Sequence, residues 1–500
     1  MPPRARSSAP TACTRRELLG WTGMSLAGIA LDDMITRELS AESPAASDSA
    51  PGHGPDLRGR AMFRPRAKSV IWLMMRGGVS HHEGFDPKPE LNRLAGKTMS
   101  ETPYFDAVLK SPYYRNVREQ VLNNVIKTDQ ARILPLQKGY RACGESGVEV
   151  SDWWPHTRKH VDKMAVVRSM WTTDNNHGAQ IEFLSGRHML DGCFPTVGAW
   201  IHYGLGSLSD NIPQFLSIGD RGMESQCAGG TDAQYLGPEH EGIWLKVDPK
   251  NPLSYARSAR NTPSSVRTIK QDLLTRLQAE TAREYAADDR LKARIKSYDL
   301  AFRMQTAVPE IMNLASETKQ TQELYGLDRP ATRGFGQNLL ATRRLVEEGV
   351  RFVQVFHGGG AAGAWDAHSG LVANHNRMCA QADKPIAGLL TDLEQRGLLD
   401  ETVVVWTSEF GRTPGAQNKG GRDHHNYGFS IWMAGGGIKG GIVHGATDEL
   451  GFHAVENRHY VTDVHATLFR LLGLDARRLE IPGRKRLERD FGHVIEEIIA

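Results

Sequence analysis

Carboxylate and imidazole side chains cluster at four places in this sequence of 500 residues. Each cluster follows, or shortly precedes, an apolar run of the length of a β-strand. Neutral imidazoles combined with carboxylates are the donors that zinc and related transition metals prefer. The four clusters are residues 77–89, 365–368, 409–414 and 421–426. They are far apart in the chain, so a shared metal site requires the fold to bring them together.

Histidine is concentrated in the C-terminal part of the chain. More than half of the 19 histidines lie after residue 356. A single loop histidine is as often a hydrogen-bonded structural group as a metal ligand. The prediction of a metal site therefore depends on the whole set and not on any one imidazole.

Continuous apolar runs that end at polar or glycine-rich turns position these clusters. The runs at 70–75, 164–170, 350–356, 402–407 and 429–434 are typical of strands that are buried on both faces. Amphipathic helical stripes lie between several of them. This alternation predicts an α/β fold with a doubly wound, mostly parallel sheet and helices on both faces. Ligands bind such sheets outside the carboxyl ends of the strands, which is where three of the clusters begin.

Two segments depart from the alternation of strands and helices. Residues 197–245 are glycine-rich and aperiodic, which predicts loops and short strands. Residues 266–314 are charged and helical in pattern without sustained heptads, which predicts a helical insertion.

The N-terminal residues have the features of an export signal. Arginines without acidic neighbours precede a short apolar stretch at 18–31, as in a signal peptide. Residues 14–19 (TRRELL) resemble the twin-arginine motif of proteins that are exported already folded. We expect an export signal and the start of a linker at 1–45, the rest of the linker at 46–67, and a periplasmic or extracellular protein. The alternative is a plain amphipathic helix.

Composition excludes several classes of function. A formal net charge of +3 gives no electrostatic case for a nucleic-acid ligand. Outside the leader no apolar run is long enough to span a membrane, so we expect no transmembrane body. A Gly-x-Gly-x-x-Gly turn does not follow the first apolar run, which argues against a nicotinamide oxidoreductase. The oligomeric state stays open.

The cysteines allow disulfides and argue against a zinc knuckle. Apart from the leader, the sequence contains Cys143, Cys193, Cys227 and Cys379, which allow up to two disulfides. They include no Cys-x-x-Cys pair, which structural zinc knuckles and thioredoxin-type redox sites require.

Several segments, in the same order, resemble a family of exported bacterial proteins known as the domain-of-unknown-function 1501 family. The matching segments are 77–89, 365–368, 409–414, 421–426 and 463–467, with shorter matches at 176–177 and 198–200. This family is distantly related to the alkaline phosphatase and sulfatase superfamily. The resemblance implies that residues 68–500 form an alkaline phosphatase-like α/β domain with a two-metal site, within which 266–314 is the insertion.

The resemblance also implies a set of metal ligands. The implied ligands are Glu83, Asp366, His368, Glu409 and His424, with His425 as a near-equal candidate for His424. Phe410 stands where the superfamily has a histidine, which implies a single metal or an unusual stoichiometry. Zinc fits these donors best, with manganese and calcium as alternatives.

Two further residues are candidates for catalysis. By its spacing from Asn176 and His177, Thr173 matches the nucleophile of related phosphodiesterases, and its alternative role is that of a helix N-cap. Arg412 follows a strand end, where it is either a clamp for a phosphate or sulfate group or a structural ion-pair partner.

These features together predict an exported, metal-dependent hydrolase of phosphate or sulfate esters, with a metal-activated threonine or water as the nucleophile. The substrate would be a small-molecule or glycan ester. The alternative is a catalytically inactive, metal-stabilised protein of the same fold that serves in binding or in assembly of the cell envelope.

Overall fold

A computed structural model describes most of the chain. The described residues are 61–115, 131–209, 211–221, 230–248, 250, 252, 264–285, 288–479, 481 and 492–500. The predicted export signal at 1–45 lies outside them, and of the predicted linker only residues 61–67 are described. The chain divides into two compact units, of which one comprises Pro55–Val247 and Ile311–Ala500 and the other Met1–Gly54 and Asp248–Glu310.

Strands and helices alternate through the larger unit. The strands are β1 (Ser69–Met75), β2 (Tyr140–Cys143), β3 (Val148–Ser151), β4 (Met164–Trp171), β5 (Phe215–Gly219), β6 (Ile243–Leu245), β7 (Phe352–His357), β8 (Thr402–Thr407), β9 (Gly411–Gln417), β10 (Gly421–His425), β11 (Phe429–Ala434), β12 (Ile442–His444), β13 (Ala446–Thr447), β14 (Ala454–Glu456) and β15 (His459–Tyr460). The α-helices are α1 (Pro89–Arg93), α2 (Phe105–Leu109), α3 (Ala179–Ser185), α4 (Val197–Leu205), α5 (Ser264–Glu284), α6 (Asp289–Ile311), α7 (Lys319–Leu324), α8 (Pro330–Glu347), α9 (Leu371–Gln395) and α10 (Val461–Leu471).

Nine of the strands form one central sheet. Their order is β12-β4-β11-β8-β1-β7-β5-β6, and β15 also pairs with β4. The pairs of β1 with β7 and β8, of β5 with β6 and β7, and of β4 with β12 and β15 are all parallel. Only β11, within this sheet, runs antiparallel to its neighbours β4 and β8. The structure confirms the predicted α/β class with a mostly parallel sheet.

The sheet is buried on both faces, as the continuous apolar runs require. Val70, Trp72 and Met74 of β1 belong to a core cluster that includes side chains of α3, α4 and α10. The alternate residues Ile71 and Leu73 point to the opposite face of the strand and are also fully buried. A strand in this position has no polar face, so its sequence is a continuous apolar run and not an alternation of apolar and polar residues.

Helix α4 lies in the segment 197–245, for which the sequence predicts loops and short strands. The helix is buried almost all round, so it has no polar face that would reveal a helical period. Its glycines allow close packing, because a Cβ atom on Gly198 would lie 2.7 Å from the Phe215 ring and one on Gly204 would lie 2.9 Å from Leu474. Strands β5 and β6 account for the short strands in this segment.

A β-hairpin outside the central sheet is a second difference from the predicted pattern. The clusters at 409–414 and 421–426, for which the sequence predicts no strand, include residues of β9 and β10, which pair antiparallel with each other. A register shift between Arg422 and His424 interrupts the pairing and places His424 opposite Arg412. The glycines and proline of this hairpin hide its strand character in the sequence.

Helices α5 and α6 occupy most of the segment for which an insertion is predicted, and most of their length belongs to the smaller unit.

Among the described cysteines, Cys143 and Cys379 have free thiols and Cys193 is disulfide-bonded. Within the described residues, none of the helices combines the length and the apolar character needed to cross a membrane.

Candidate metal centre

Asp366 is the centre of a cluster of three histidines at the carboxyl edge of the sheet. Asp366 and His368 lie in the loop between β7 and α9, and His424 lies on β10 of the hairpin. His177 lies between β4 and α3, two residues before the helix begins. Three separate parts of the chain therefore bring these side chains together, as the carboxyl edge of a parallel sheet allows.

The imidazole Nε2 atoms of the three histidines converge on the Asp366 carboxylate. Nε2 of His368 and of His424 lie 3.1 and 3.2 Å from Asp366 Oδ1. His177 Nε2 lies 3.5 Å from Asp366 Oδ2, on the other oxygen. The Nε2 atoms of His368 and His424 are themselves 2.9 Å apart. A single small volume is thus surrounded by three nitrogens and two carboxylate oxygens.

The opposite ring nitrogen of each histidine contacts an oxygen acceptor. Nδ1 of His177 lies 3.1 Å from Glu409 Oε1, and Nδ1 of His424 lies 3.0 Å from the carbonyl oxygen of Asn175. Nδ1 of His368 contacts Gln417 Oε1. Because these oxygens can only accept, Nδ1 of each ring is the donor to them, and Nε2 of each ring faces Asp366, where it can donate to the carboxylate when protonated or bind a metal ion when not.

Glu409 acts on this cluster through His177. Its side chain is fully buried, and its oxygens accept hydrogen bonds from the Gly77 backbone at 2.8 and 3.0 Å and from Gln180 at 3.1 Å, besides the bond from His177. The sequence predicted Glu409 as a metal ligand. In the structure its carboxylate contacts Nδ1 of His177, a contact of the kind that commonly accompanies histidine ligands.

Arg412 holds the Asp366 carboxylate in place. Its Nη2 atom donates to Asp366 Oδ1 at 2.6 Å and also to the Gly77 carbonyl. Nε donates to the Gly78 carbonyl at 2.9 Å, and Nη1 donates to the carbonyl of Arg422 at 3.0 Å. The guanidinium is fully buried and bonded to protein atoms on every nitrogen. Of the two roles considered for Arg412, this geometry favours the structural ion-pair partner.

The pKa values follow from these contacts. Burial raises the pKa of Asp366, but hydrogen bonds from the three imidazoles and the charge of Arg412 lower it far below its usual range. Burial lowers the pKa of His177, but the two carboxylates beside it raise the pKa to about 9. The hydrogen bond to Asp366 raises the pKa of His368. Burial lowers the pKa of His424 to about 4.

The cluster has the donor set of a transition-metal site. Two groups, each of three side chains, could hold a metal ion. Within each group the ligand atoms lie within 4.8 Å of one another. The first group is His177, Asp366 and His424, and the second is His368, Asp423 and His424. Mixed imidazole and carboxylate donors fit zinc, and the shared His424 makes the two groups neighbours.

Glu83 lies outside this cluster. It is fully buried, accepts a hydrogen bond from the Ser80 hydroxyl and pairs with Arg422, whose Nη2 lies 2.7 Å from Glu83 Oε1. Burial raises the pKa of Glu83, but the charge and hydrogen bond of Arg422 lower it overall. The structure thus places the carboxylate in a salt bridge that joins the loop after β1 to the hairpin.

His425 and Thr173 also lie apart from the Asp366 carboxylate. On β10, His425 Nε2 contacts the carbonyl oxygen of Phe452, and its side chain is on the opposite side of the strand from that of its neighbour His424. The Thr173 hydroxyl is buried and donates to the carboxylate of Glu182. Helix α3 begins only at Ala179, so Thr173 is not its N-cap.

Three residues of the cluster were not predicted as site residues. His177 appeared in the sequence only as part of the segment 176–177, although it follows a predicted strand as the other clusters do. Asp423 was part of the cluster at 421–426 without a role, and Gln417 was not noticed. A periodic hairpin pattern would have been the signal for Gln417, because β9 and β10 place it near His368.

The chain belongs to the family described as Protein of unknown function (DUF1501), whose model matches residues 67–499. No curated protein matches its sequence.

Several solved structures are similar to this one. The PsFucS1 sulfatase from Pseudoalteromonas sp. has a TM-score of 0.36 and 13% identity over 87% of this chain and 72% of its own. The alkaline phosphatase from the Antarctic bacterium TAB5 has a TM-score of 0.32 and 9% identity over 82% of this chain and 99% of its own. The phosphonate monoester hydrolase SpPMH from Silicibacter pomeroyi has a TM-score of 0.34 and 12% identity, with 69% and 71% covered. Because these scores lie below 0.5, the likeness does not identify a reaction for this chain.

Proposed function

We propose that this member of the DUF1501 family is an exported, metal-dependent hydrolase of phosphate or sulfate esters. One observation carries the proposal: three imidazoles converge on Asp366 through Nε2, and each has its Nδ1 proton directed at an oxygen acceptor. A purely structural histidine cluster does not need all three rings to turn the same nitrogen towards one carboxylate. Metal ligation needs that arrangement.

His177, Asp366 and His424 would hold the metal, and His368 with Asp423 would complete a second position beside it. Zinc is the metal that we propose first, because its usual ligands are imidazole and carboxylate. When bound, the metal would lower the pKa of a coordinated water and neutralise charge on the ester oxygens.

The side chains around the ligands keep the site ordered. Glu409 holds the His177 ring, and Arg412 fixes the Asp366 carboxylate. Water is the nucleophile that we favour, because the Thr173 hydroxyl already donates to Glu182. The substrate we infer is a small-molecule or glycan ester that reaches the carboxyl edge of the sheet from solvent.

The proposed location is the periplasm or the exterior of the cell. Disulfides persist in oxidising compartments and are rare in reducing ones, so the disulfide at Cys193 supports export. The twin-arginine motif at 14–19 provides the proposed route. Replacing Arg15 and Arg16 by lysine should leave the protein in the cytoplasm, which cell fractionation would show.

The test of the reaction is a hydrolysis assay on the zinc-loaded protein with aryl phosphate, phosphodiester and aryl sulfate substrates. We expect turnover of at least one ester, and a loss of about 100-fold or more in Asp366→Asn and His424→Ala. Glu83→Gln is the control, since Glu83 is a buried carboxylate outside the cluster. Equal activity in Glu83→Gln, Asp366→Asn and His424→Ala would refute a catalytic role for the cluster.

A second candidate function is that of an inactive, metal-stabilised binding or cell-envelope assembly protein. The position of Phe410 favours it, because this ring packs 4.5 Å from the His424 ring and 5.5 Å from the His177 ring, between centroids. An apolar ring there limits the space left for a substrate. Stoichiometric zinc with no turnover of any ester would support this second function over the first.

A further inference from the structure

Two histidines meet at the edge of the sheet, away from the Asp366 cluster. His444 ends β12 and His459 begins β15, and both strands pair parallel with β4. Their register places them one after the other along the same edge, with His444 beside Val167 and His459 beside Met170. The two imidazole Nε2 atoms face each other at 2.9 Å.

Asp463 orients one ring of this pair. His459 Nδ1 lies 2.9 Å from Oδ2 of Asp463, a residue in the first turn of α10. The carboxylate can only accept, so Nδ1 is the donor to it, and Nε2 of the His459 ring is turned towards His444. The other oxygen of Asp463 accepts a hydrogen bond from the His493 backbone at 2.9 Å, which keeps the carboxylate in position.

We propose that His444 and His459 form a separate site for a divalent transition metal, with zinc as the ion to test. The two Nε2 atoms are the ligands, and Asp463 is the carboxylate that orients His459. Nothing in the Asp366 cluster takes part in this site, so it is independent of the proposed hydrolase function.

The spacing of the two nitrogens suits a metal ion. Ligands at about 2.0–2.1 Å from zinc are about 2.9 Å apart when they subtend a right angle and about 3.3 Å apart in a tetrahedron. The observed 2.9 Å lies at the lower end of this range. A carboxylate hydrogen-bonded to the far nitrogen of a histidine ligand is the usual companion of such sites.

The surroundings supply negative charge and a route from solvent. The carboxylates of Glu456 and Glu497 act electrostatically on His444, and both residues are exposed. Strands β12 and β15 pair only with β4 within the central sheet, so the histidines lie at its edge. The His459 side chain keeps 12% of its surface exposed, which leaves an ion access to the pair.

An ion here would close the loop between residues 444 and 459. This loop contains the carbonyl groups of Leu450, Gly451 and Phe452, which contact the buried imidazoles of three histidines elsewhere. Binding that favours the folded protein stabilises it by mass action. Zinc should therefore raise the melting temperature through this site as well as through the Asp366 cluster.

The test is zinc stoichiometry after equilibrium dialysis of the full chain against buffered zinc chloride. We expect His459→Ala to bind about one zinc fewer per chain than the wild type. His424→Ala should lose zinc from the Asp366 cluster and keep the edge site, and the double variant should lose both contributions. His160→Ala is the control, because that imidazole has only the Thr391 hydroxyl as its hydrogen-bond partner.

Two more variants keep the result decisive. His444→Gln should remove the same zinc without altering His459, and Asp463→Asn should weaken the edge site by about 10–100-fold. Circular dichroism checks that each variant is folded. Equal zinc content in the wild type and in the folded His444 and His459 variants would overturn the proposal, whatever the outcome for His424→Ala. The proposal of the edge site can therefore be refuted without refuting the proposed hydrolase function, and the reverse also holds.

Discussion

Glu409→Gln tests whether the structure assigns the correct role to a buried carboxylate. The substitution keeps the size of the side chain but removes its charge and one of its two acceptor oxygens. Glu409 accepts bonds from His177, Gly77 and Gln180, so a single amide oxygen cannot satisfy all of these donors. The His177 ring then loses the partner that fixes its Nδ1 proton.

The expected loss follows from the role of an orienting carboxylate. Removing such a group usually weakens metal binding by about 10–100-fold, or about 1.4–2.7 kcal/mol. The same change lowers the pKa of His177, which is about 9 in the native protein, so protons compete less with zinc for the His177 ring. At pH 8.5 a pKa of about 9 makes that competition worth about fourfold. We therefore expect a net fall in zinc affinity of about 2- to 25-fold at this pH.

Competition with a chromophoric chelator measures the affinity, in a His459→Ala background that removes the proposed edge site. Glu83→Gln is the matched control, since this carboxylate is equally buried but pairs with Arg422. We expect Glu83→Gln to lower stability and to leave zinc affinity within about twofold. Wild-type affinity in folded Glu409→Gln, or an equal loss in Glu83→Gln, would refute the assignment of roles.

Three other outcomes are expected. Thr173→Val should change the hydrolysis rate by less than about tenfold, because the hydroxyl is engaged by a buried carboxylate, and a loss of about 1000-fold in steady-state kinetics would instead make it the nucleophile. Gly421→Ala should weaken zinc binding by more than about tenfold, because its Cβ would lie 2.1 Å from the carbonyl carbon of His368; unchanged chelator competition would contradict this. Burial lowers the pKa of His453 and of His465 to about 4, which is below the pKa of a histidine in the unfolded chain. The contribution of each neutral ring to folding stability is therefore complete above about pH 6.5 and is lost as the pH falls towards 4. Urea unfolding should show about 1 kcal/mol less stability per group at pH 5.5 than at pH 7.5, and His465→Gln should lack one such contribution; a stability that is constant or higher at pH 5.5 would contradict the sign.

The sequence alone was sufficient for the central sheet. Strands buried on both faces must be apolar throughout, so β1, β8 and β11 were visible as continuous runs with nearly the bounds that the structure shows. Helix α4 was not visible, because a helix without a solvent face has no period that a sequence can show. The hairpin of β9 and β10 was hidden by its glycines and proline.

The sequence also indicated where chemistry would gather, because polar residues after parallel strands share one edge of the sheet. Asp366, His368 and His424 were predicted on this ground and from the family resemblance, and the structure brings all three together. Whether they hold a metal stays a prediction that the zinc measurements test.

Only the tertiary structure decided what the remaining charged residues do. Glu83 and Glu409 both follow strands in the sequence, yet one pairs with a buried arginine and the other accepts the proton of a histidine. Arg412 is bonded to Asp366 and to backbone carbonyls. A sequence specifies the type of each side chain, but the role of a buried charge depends on the partner that compensates its desolvation, and that partner lies in a distant part of the chain.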